Sequence, residues 1–441
     1  MVPVPQLDRA VERHRAGSPP WALFERRVRT PRAARGPLPR APVADACGEI
    51  AAALDHPGLG CDRVVYVHIP FCRSLCSFCG YCREIPVTPD TLRAYVAAVR
   101  QQLASFAARP WTQSKPFSAI HFGGGTPTLL PTDVLAALIR DVAAALPLAP
   151  GAEITVESTV AELESVDVSV LMSAGMNRLA LGVQTFDGDH RRSLGRRSSR
   201  EKVLCGIAHA RAAGITNLCV DLIYGLPNQT LGAWKADLEI LGTCGATGAS
   251  IYPLVAFPAS ELGRKLVTER RDSFVDLATE YEFFMAADRA LLCLPGWTRF
   301  SPVQYGHASV GTAAYVSACG RGAEILALGA GAAGTLLRLA YFNSPSIEEY
   351  TRGWSEGGAW PIGAGRGSDA HDVAGKLCAL GETTHFIRAA MPRVPVLLDA
   401  IVARLVELGL ATTDDKSVSL TSTGCFWAGN ICEILSVAVR N

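Results

Sequence analysis

From residue 64 onward, short apolar runs alternate with amphipathic runs that repeat on a helical period. The apolar runs predict six strands, at residues 64–68, 119–122, 153–157, 178–183, 218–223 and 250–255. The amphipathic runs predict helices at residues 90–106, 132–146, 163–173, 200–213 and 231–241. This alternation indicates an α/β chain with a parallel sheet and right-handed crossovers. Periodicity alone does not distinguish a closed barrel from an open sheet.

Turn and capping residues mark the ends of several of these helices. The run Thr88-Pro89-Asp90 is typical of a helix start, as is 131–133, and Gly175 and Gly214 are typical stops. After the sixth strand we expect a long helix at about 273–292. The tail from about residue 375 predicts two helices, a turn-rich hairpin at 413–420 and a last helix. Its basic residues are not concentrated on one face, which argues against a DNA-binding helix-turn-helix.

These patterns divide the chain into four parts. Residues 1–62 form an arginine- and proline-rich arm, 63–260 the βα units, 261–368 an extension and 369–441 a small C-terminal domain. We expect the arm to be an extended segment wrapped on the main domain, with Trp21 and Phe24 docking. Its arginines, including Arg32, Arg35 and Arg40, predict a solvated face or a contact to an acidic partner such as a leader peptide.

Three cysteines follow the first predicted strand. Cys72, Cys76 and Cys79 have the spacing C-x3-C-x2-C and lie in the loop at the carboxyl end of that strand. Three thiolates at this spacing can hold three irons of a [4Fe–4S] cluster and leave the fourth iron open. A zinc site with Cys82 as fourth ligand is the alternative, although the spacing does not match paired C-x2-C knuckles.

The run that contains these cysteines, YVHIPFCRSLCSFC from Tyr66 to Cys79, resembles a known family. It is similar to the radical S-adenosylmethionine (SAM) enzymes related to oxygen-independent coproporphyrinogen III oxidase. The resemblance extends to Val255 and, more weakly, to the C-terminus. It implies an incomplete (β/α)6 barrel, an extension at 261–368 that helps to enclose the substrate, and a winged-helix-like, mostly helical C-terminal cap at 369–441. It also implies a cluster whose open iron is chelated by SAM, which is cleaved to methionine and a 5′-deoxyadenosyl radical.

Further motifs carry the resemblance to the cofactor sites. The run GGGTPT at 123–128 follows the second strand, and its glycines allow the backbone to approach a ligand closely. The resemblance places the first SAM on Tyr66, Gly124 and Glu157. It places a second SAM on Phe78, Gly125, Thr126, Gln184, Arg196, Asp221 and Val255.

Asp221 stands within the apolar run LCVDLIYGLP, where an unpaired acid is costly to bury. It should therefore be paired or ligand-bound, and Arg196 is a plausible ion-pair partner. One position departs from the family: its extra cysteine, two residues after the third cluster ligand, is Tyr81 here, and Cys82 comes one place later. The role of Cys82 therefore stays open.

The segments RFSPVQYGH and GAEILALGAGAAG resemble two offshoots that keep both SAM sites. One comprises the class C radical SAM C-methyltransferases of natural products, including thiopeptides; the other comprises anaerobic haem-degrading methyltransferases. Both imply that the first SAM activates the methyl group of the second, which then adds to an sp2 carbon. We expect a C-methyltransferase acting on a heteroaromatic group of a peptide natural product. The alternatives are the haem-degrading activity, or a non-catalytic haem chaperone of the same superfamily.

Deprotonation of the methylated adduct needs a base, and the candidates are Tyr305 and His307, in the loop before the glycine-rich segment. The cluster also needs an electron donor, and we expect a flavodoxin or ferredoxin. The chain of 441 residues has a net charge of +1, which gives no indication of a nucleic-acid partner. Its 14 cysteines fit a reducing cytoplasm, and we expect neither a signal peptide nor a membrane span.

Overall fold

The computed structural model describes residues 4–29, 44–357, 362–366 and 395–438, apart from 59, 87, 256, 272, 311–312, 338 and 415–416. Its largest unit is a twelve-stranded mixed sheet in the order β12-β11-β10-β9-β1-β2-β3-β4-β5-β6-β8-β7. These strands are β1 Arg63–Ile69, β2 Phe117–Gly124, β3 Leu148–Ser158, β4 Arg178–Gln184, β5 Asn217–Tyr224, β6 Gly248–Pro253, β7 Trp297–Ser301, β8 Gln304–His307, β9 Glu324–Leu328, β10 Ala333–Leu336, β11 Leu339–Asn343 and β12 Ile362–Arg366. A separate hairpin pairs β13 Ala411–Thr413 with β14 Val418–Leu420.

Helices follow most of the parallel strands and cover the outer face of the sheet. The described helices are α1 Pro5–Arg15, α2 Ala46–Asp55, α3 Pro89–Ala107, α4 Pro110–Gln113, α5 Thr132–Ala145, α6 Val160–Leu163, α7 Val168–Ser173, α8 Gly188–Ser193, α9 Arg200–Ala212, α10 Leu231–Thr243, α11 Glu261–Thr268, α12 Leu277–Leu292, α13 Ala314–Gly320, α14 Ile347–Ser355, α15 Pro395–Glu407, α16 Ser422–Phe426 and α17 Ala428–Ala438. None of the described helices is long and apolar enough to cross a membrane.

The six predicted βα units are confirmed, because β1 to β6 pair in parallel with helices between them. Thr88 caps α3 by accepting a hydrogen bond from the Thr91 backbone N–H, as its sequence predicts. Gly175 and Gly214 have φ angles of +115° and +101° after α7 and α9, which only glycine adopts at low cost. The α/β fold class predicted from the sequence is therefore correct.

The sheet extends beyond the six predicted strands. Strand β9 pairs in parallel with β1 on the side opposite β2, and β10 to β12 continue antiparallel from it. At the other edge the hairpin β7–β8 adds to β6. The sequence pattern predicts no strands at 296–307 or 323–334, because glycine and polar residues interrupt their apolar runs.

The parallel order places the loops after β1 to β6 at one edge of the sheet, where α/β proteins build their sites. The amino ends of the strands lie at the opposite edge, where α13 packs against the beginnings of β1 and β2 through Val64, Ala119 and Ala318. Helix α13 is held there by Glu153, whose carboxylate accepts hydrogen bonds from the backbone N–H groups of Ala314 and Tyr315. This edge is therefore filled by protein.

The N-terminal arm packs on the C-terminal cap. Phe24 is buried with its ring 5.0 Å from that of Trp427, whereas Trp21 keeps 36% of its surface exposed. The arm contains α1 and α2, so the expectation of a purely extended segment is wrong. The predicted tail hairpin is confirmed as β13–β14. Arg32, Arg35, Arg40 and the first predicted tail helix lie outside the described residues.

Two arginines of the arm are buried, which contradicts a solvated face for them. Arg27 and Arg29 donate to the Glu280 carboxylate on α12 at 2.9 and 2.5 Å, and the Glu280 side chain is 2% exposed. Arg27 also donates to the Tyr224 hydroxyl at the end of β5 and lies over the Phe426 ring on α16. This arginine therefore joins the arm, the main sheet and the cap.

Candidate active site

The cysteine loop begins where β1 ends. Cys72 donates its backbone N–H to Glu84, and Cys79 donates its own to Cys76, so the loop folds back on itself. At its far side, Ser77 accepts from the Leu262 backbone N–H at the start of α11. These backbone contacts hold the loop above the carboxyl edge of the parallel strands.

The three thiols of Cys72, Cys76 and Cys79 are neighbours. Burial raises the pKa of the Cys72 thiol to about 11, opposed by its hydrogen bond with Thr126, and charges on Cys79 and Cys76 would raise it further. Burial likewise raises the pKa of Cys79. Such thiols stay protonated until a metal displaces the protons, which fits an iron–sulfur site that assembles when metal binds.

Cys82 is turned away from this group. Its Sγ lies 3.2 Å from the Pro345 carbonyl oxygen and packs against Gly331. Within the described ranges, no three His, Cys, Asp or Glu side chains converge on a point suited to a single metal ion. A cubane spreads its ligands over separate irons, so it needs neighbouring thiols rather than one focus. Because Cys82 contacts Pro345 and Gly331 instead of the other three thiols, the arrangement does not support a zinc site with Cys82 as fourth ligand.

The glycine-rich turn after β2 lies against the start of the cysteine loop. The backbone N–H of Gly125 donates to Ile69 and that of Thr126 to Phe71, at 2.8 and 2.7 Å. A Cβ on Gly125 would approach the Phe71 carbonyl oxygen within 2.6 Å, so no larger residue fits. Gly124 has φ +108° and contacts the His68 ring. The turn is therefore fixed beside the cluster ligands, where its backbone can reach a bound cofactor.

Tyr66, Gly124 and Glu157, predicted for the first SAM, come together. Glu157 on β3 accepts hydrogen bonds from His121 Nε2 at 2.7 Å and from the Gly124 backbone N–H at 3.3 Å. Burial acts to raise the pKa of Glu157, but the hydrogen bond and charge of His121 outweigh it and hold that pKa below its ordinary value. Glu157 is therefore a carboxylate ready to accept further hydrogen bonds.

Tyr66 donates its hydroxyl hydrogen to His68 Nδ1 at 2.9 Å. This direction follows because His68 Nε2 donates to the Cys82 carbonyl oxygen at 2.8 Å, which leaves Nδ1 as an acceptor. Burial lowers the pKa of His68, so the ring is neutral in this role. The pair fixes the backbone just after the cysteine loop.

Several residues predicted for the second SAM also lie together. A side chain on Gly182 would approach the Gln184 amide and the Arg196 guanidinium within 3.1 and 3.6 Å. Gln184 ends β4 at a bulge and has φ +75°, a costly conformation for a residue with a side chain. The Phe78 ring lies 5.9 Å from the Arg196 guanidinium carbon. Backbone strain of this kind is often found at binding sites.

The side chain of Arg196 is only partly satisfied. Its Nε atom is buried and, within the part of the chain that the structure describes, has no hydrogen-bond partner. Arg196 also lies within electrostatic range of Cys72 and Cys79. A buried donor of this kind beside the thiols indicates room for an acidic ligand group.

Asp221 is half-buried in the interior-facing row of β5. The predicted ion pair with Arg196 is not formed among the described residues; Asp221 instead has a hydrogen bond with Ser250 and is attracted to Arg178. Burial, and next the negative charge of Glu157, raise the pKa of Asp221 to about 6. The two carboxylates predicted for the two SAM molecules are thus within electrostatic range of each other.

Two predicted base residues lie away from this group. Tyr305 on β8 is buried and donates its hydroxyl hydrogen to Asp288 at 2.8 Å, on the outer, helix-covered face. His307 accepts a hydrogen bond from Ser309, and its ring packs over Gly296. It directly follows Gly306, which pairs with Gly248 at the amino end of β6. The cysteine loop is at the opposite, carboxyl edge. The structure therefore gives no support to either residue as the base.

Val255, which was predicted for the second SAM, follows β6 at the carboxyl edge. Its carbonyl oxygen accepts a hydrogen bond from the Phe257 backbone N–H.

Sequence reasoning missed His121 and Tyr315. His121 on β2 is 8% exposed, and its ring stacks on that of Tyr315 from α13 with centroids 4.7 Å apart. The register of β2 with β3 places His121 beside Thr155, two residues before Glu157. The sequence offered one signal for His121. It lies two residues before Gly123 on β2, so the two share the interior-facing side of the strand, and Glu157 lies on that side of the neighbouring strand.

Comparison with known proteins gives a consistent result. Residues 66–241 match the Radical SAM superfamily. Anaerobilin synthase of Escherichia coli O157:H7 is 27% identical over 392 residues, which cover 86% of this chain and 84% of that protein. Oxygen-independent coproporphyrinogen III oxidase of Bradyrhizobium diazoefficiens is 37% identical over 192 residues, but these cover only 44% of this chain and 42% of that protein.

The same architecture occurs in a solved structure. Coproporphyrinogen III oxidase (HemN) from Escherichia coli superposes with a TM-score of 0.73 at 23% identity, over 88% of this chain and 93% of that one. This likeness shows that the fold extends well beyond the six βα units, into the segments where the sequence pattern is weak.

Proposed function

Because this chain carries a radical SAM domain related to that of coproporphyrinogen III oxidase, we propose that it is a radical SAM enzyme acting on haem or a similar tetrapyrrole. In this proposal it adds a methyl group as the macrocycle opens. The supporting observation is the match to anaerobilin synthase, which covers 86% of the chain, including the segments after the βα units. Those segments would enclose the substrate, so they bear most directly on what the site accepts.

We propose that Cys72, Cys76 and Cys79 hold the [4Fe–4S] cluster that the superfamily uses. When bound, this cluster supplies the electron that cleaves SAM. The chain's own contribution is placement: Thr126 hydrogen-bonds with Cys72, and the turn at Gly124 and Gly125 lies beside the thiols. Tyr66, Gly124 and Glu157 then form the first SAM site, with the Glu157 carboxylate accepting from hydroxyl or ammonium groups.

A second SAM site is supported by polar groups whose charge or hydrogen-bonding capacity is only partly used among the described residues. Arg196 keeps a buried Nε donor unpaired and can receive a carboxylate in a bidentate geometry. The Gln184 amide lies beside the Arg196 guanidinium. Asp221 has a hydrogen bond with Ser250 and is attracted to Arg178. Arg196 and Asp221 form no ion pair with each other among the described residues, so we propose that both charged groups bind the second SAM.

The peptide C-methyltransferase remains the rival with the same cofactor residues. The substrate separates the two, and the long match to anaerobilin synthase favours the tetrapyrrole. A haem chaperone would bind the macrocycle without consuming a second SAM. The buried, unpaired Nε of Arg196 beside the Gln184 amide supports a second ligand site, which favours an enzyme over a carrier.

The test is anaerobic turnover of cluster-loaded protein with SAM, a chemical reductant and haem. We expect loss of the haem absorbance, one methylated open-chain product, and both 5′-deoxyadenosine and S-adenosylhomocysteine. Arg196→Ala should still form 5′-deoxyadenosine but little S-adenosylhomocysteine. Haem that binds and is recovered unchanged, with no S-adenosylhomocysteine above the haem-free control, would reject the proposal in favour of a carrier.

A further inference from the structure

Tyr81 stands out as a large exposed ring beside the candidate cofactor sites. Its side chain is 64% exposed, although its backbone lies two residues after Cys79 in the cysteine loop. Among the described residues, nothing hydrogen-bonds to its hydroxyl. Neighbouring aromatic residues are satisfied instead: Tyr66 by His68 and Tyr95 by the His68 carbonyl oxygen.

The backbone that carries Tyr81 is held on three sides. A Cβ on Gly80 would approach the Phe257 ring within 2.2 Å, so this position is closed against any side chain. Arg83 donates to the carbonyl oxygens of Tyr81 and Cys76, at 3.0 and 3.2 Å. His68 holds the next carbonyl oxygen, that of Cys82, at 2.8 Å. The loop backbone at Tyr81 is therefore fixed, and it presents the exposed Tyr81 ring in a defined place.

The exposed ring of Tyr81 lies close to groups of the candidate site. The Tyr81 phenol lies within electrostatic range of the Glu157 and Asp221 carboxylates, which belong to the two predicted SAM sites. Tyr66 and the half-exposed Tyr252 on β6 are within range of the same phenol. A ring that is both exposed and close to the residues of the two predicted SAM sites is well placed to contact a ligand bound there.

We propose that Tyr81 is a substrate-contacting residue whose ring packs on a flat, π-rich substrate above the two SAM sites. The inference rests on the proposed function for the identity of that substrate, a tetrapyrrole macrocycle. A rigidly held aromatic ring loses little conformational freedom on contact and contributes both area and stacking to a planar ligand. The position therefore determines substrate specificity, whereas cluster assembly and SAM cleavage do not depend on it.

The experiment measures binding and turnover separately, with haem as the probe. Cluster-loaded protein is titrated with haem anaerobically, followed by absorbance, and turnover is then started with SAM and reductant. Tyr81→Ala should raise the haem Kd and KM by about 3- to 10-fold, whereas Tyr81→Phe, which keeps the ring, should stay within about twofold. Phe342→Ala is the matched control, because that ring is 40% exposed on β11, outside the site.

Iron content and 5′-deoxyadenosine formed without haem should be unchanged in every variant, which excludes a folding defect. Unchanged haem Kd and KM in Tyr81→Ala would overturn the inference while leaving the proposed function standing. Haem binding that depends on Tyr81 without haem consumption would support the inference and reject the proposed function. No haem binding by the unaltered protein would reject both.

Discussion

His121 on β2 and Glu157 on β3 are joined by a hydrogen bond of 2.7 Å between Nε2 and Oε1. An ionised carboxylate only accepts, so Nε2 carries the hydrogen, and the buried Nδ1 has no partner among the described residues. Tyr315 stacks on the same imidazole from α13. Tyr315, in the segment after the βα units, thus supports Glu157 of the predicted first SAM site through the His121 ring.

We therefore predict that His121→Ala impairs SAM cleavage most at low pH. In the unaltered protein, burial acts to raise the pKa of Glu157, but His121, together with Gly124 and His68, holds that pKa below its ordinary value. Removing His121 removes the largest of the opposing effects, so the pKa should rise. The acid limb of 5′-deoxyadenosine formation should then move to higher pH. At neutral pH, kcat/KM for SAM should fall by an amount equivalent to about 1.5–3 kcal/mol, the usual value for a charged hydrogen bond.

His209→Ala is the control for this prediction, because that imidazole is exposed on α9. It should leave the pH profile unchanged. If the ratio of His121→Ala to unaltered activity is the same at pH 6 and pH 8, His121 does not act through the ionisation of Glu157.

Cys82 should be dispensable for the cluster. Its Sγ lies against the Pro345 carbonyl oxygen and Gly331, away from the other three thiols. Cys82→Ala should retain the full iron and sulfide content after anaerobic reconstitution, whereas Cys79→Ala should lose most of it. A zinc site with Cys82 as fourth ligand would give a different result: both variants would lose the metal equally, and the purified protein would contain zinc rather than iron.

The strands and helices with a clean period were predictable, and those without one were not. Residues 178–183 fall within β4, Arg178–Gln184, because every second side chain faces an apolar layer. Strand β9 was missed because its apolar run continues into the glycines at 329 and 331, whose positive φ angles end the strand. Whether such a run pairs with β1 depends on contacts more than 250 residues apart, which no local pattern records.

The candidate site was predictable where a motif fixes the backbone. The cysteine spacing and the glycine turn identify residues whose neighbours the structure brings together. Tyr305 was selected from its place near a glycine-rich segment, but strand pairing with Ala249 places it on the outer face beside Asp288. The expected ion pair of Arg196 with Asp221 is not formed among the described residues, because Asp221 hydrogen-bonds with Ser250 and is attracted to Arg178, partners that the charges in a sequence do not reveal.

The buried arginines of the arm predict a large stability effect. Glu280→Gln leaves Arg27 and Arg29 without their shared carboxylate in a site where all three side chains are at most 11% exposed. Breaking such a pair should lower the free energy of unfolding by about 3–5 kcal/mol, measured by chemical denaturation. The matched control is Glu407→Gln, since its partner Arg15 is 70% exposed, and that change should cost less than about 1 kcal/mol. Equal small effects would show that the arm does not depend on Glu280.

Asp221 should give methyl transfer a pH dependence that SAM cleavage lacks. Its pKa of about 6 lies above its ordinary value, so the carboxylate is protonated below about pH 6 and ionised above it. If the ionised form binds the second SAM, S-adenosylhomocysteine formation should decline as the pH falls through about 6, while uncoupled 5′-deoxyadenosine formation continues. Asp221→Asn should give little S-adenosylhomocysteine at any pH and lose this transition.

The same group makes an independent prediction for stability. A carboxyl group whose pKa is raised by folding stabilises the fold in its protonated form, and this contribution is lost as the pH rises from about 4 to above 6. Asp221→Asn removes the ionisation, so without cofactors the variant should gain stability relative to the unaltered protein at pH 8 but not at pH 4. The shift limits the gain to about 3 kcal/mol, and partial exposure of Asp221 reduces it. A variant that is equally or less stable at pH 8, measured by chemical denaturation, would show that the carboxylate is not strained by the fold.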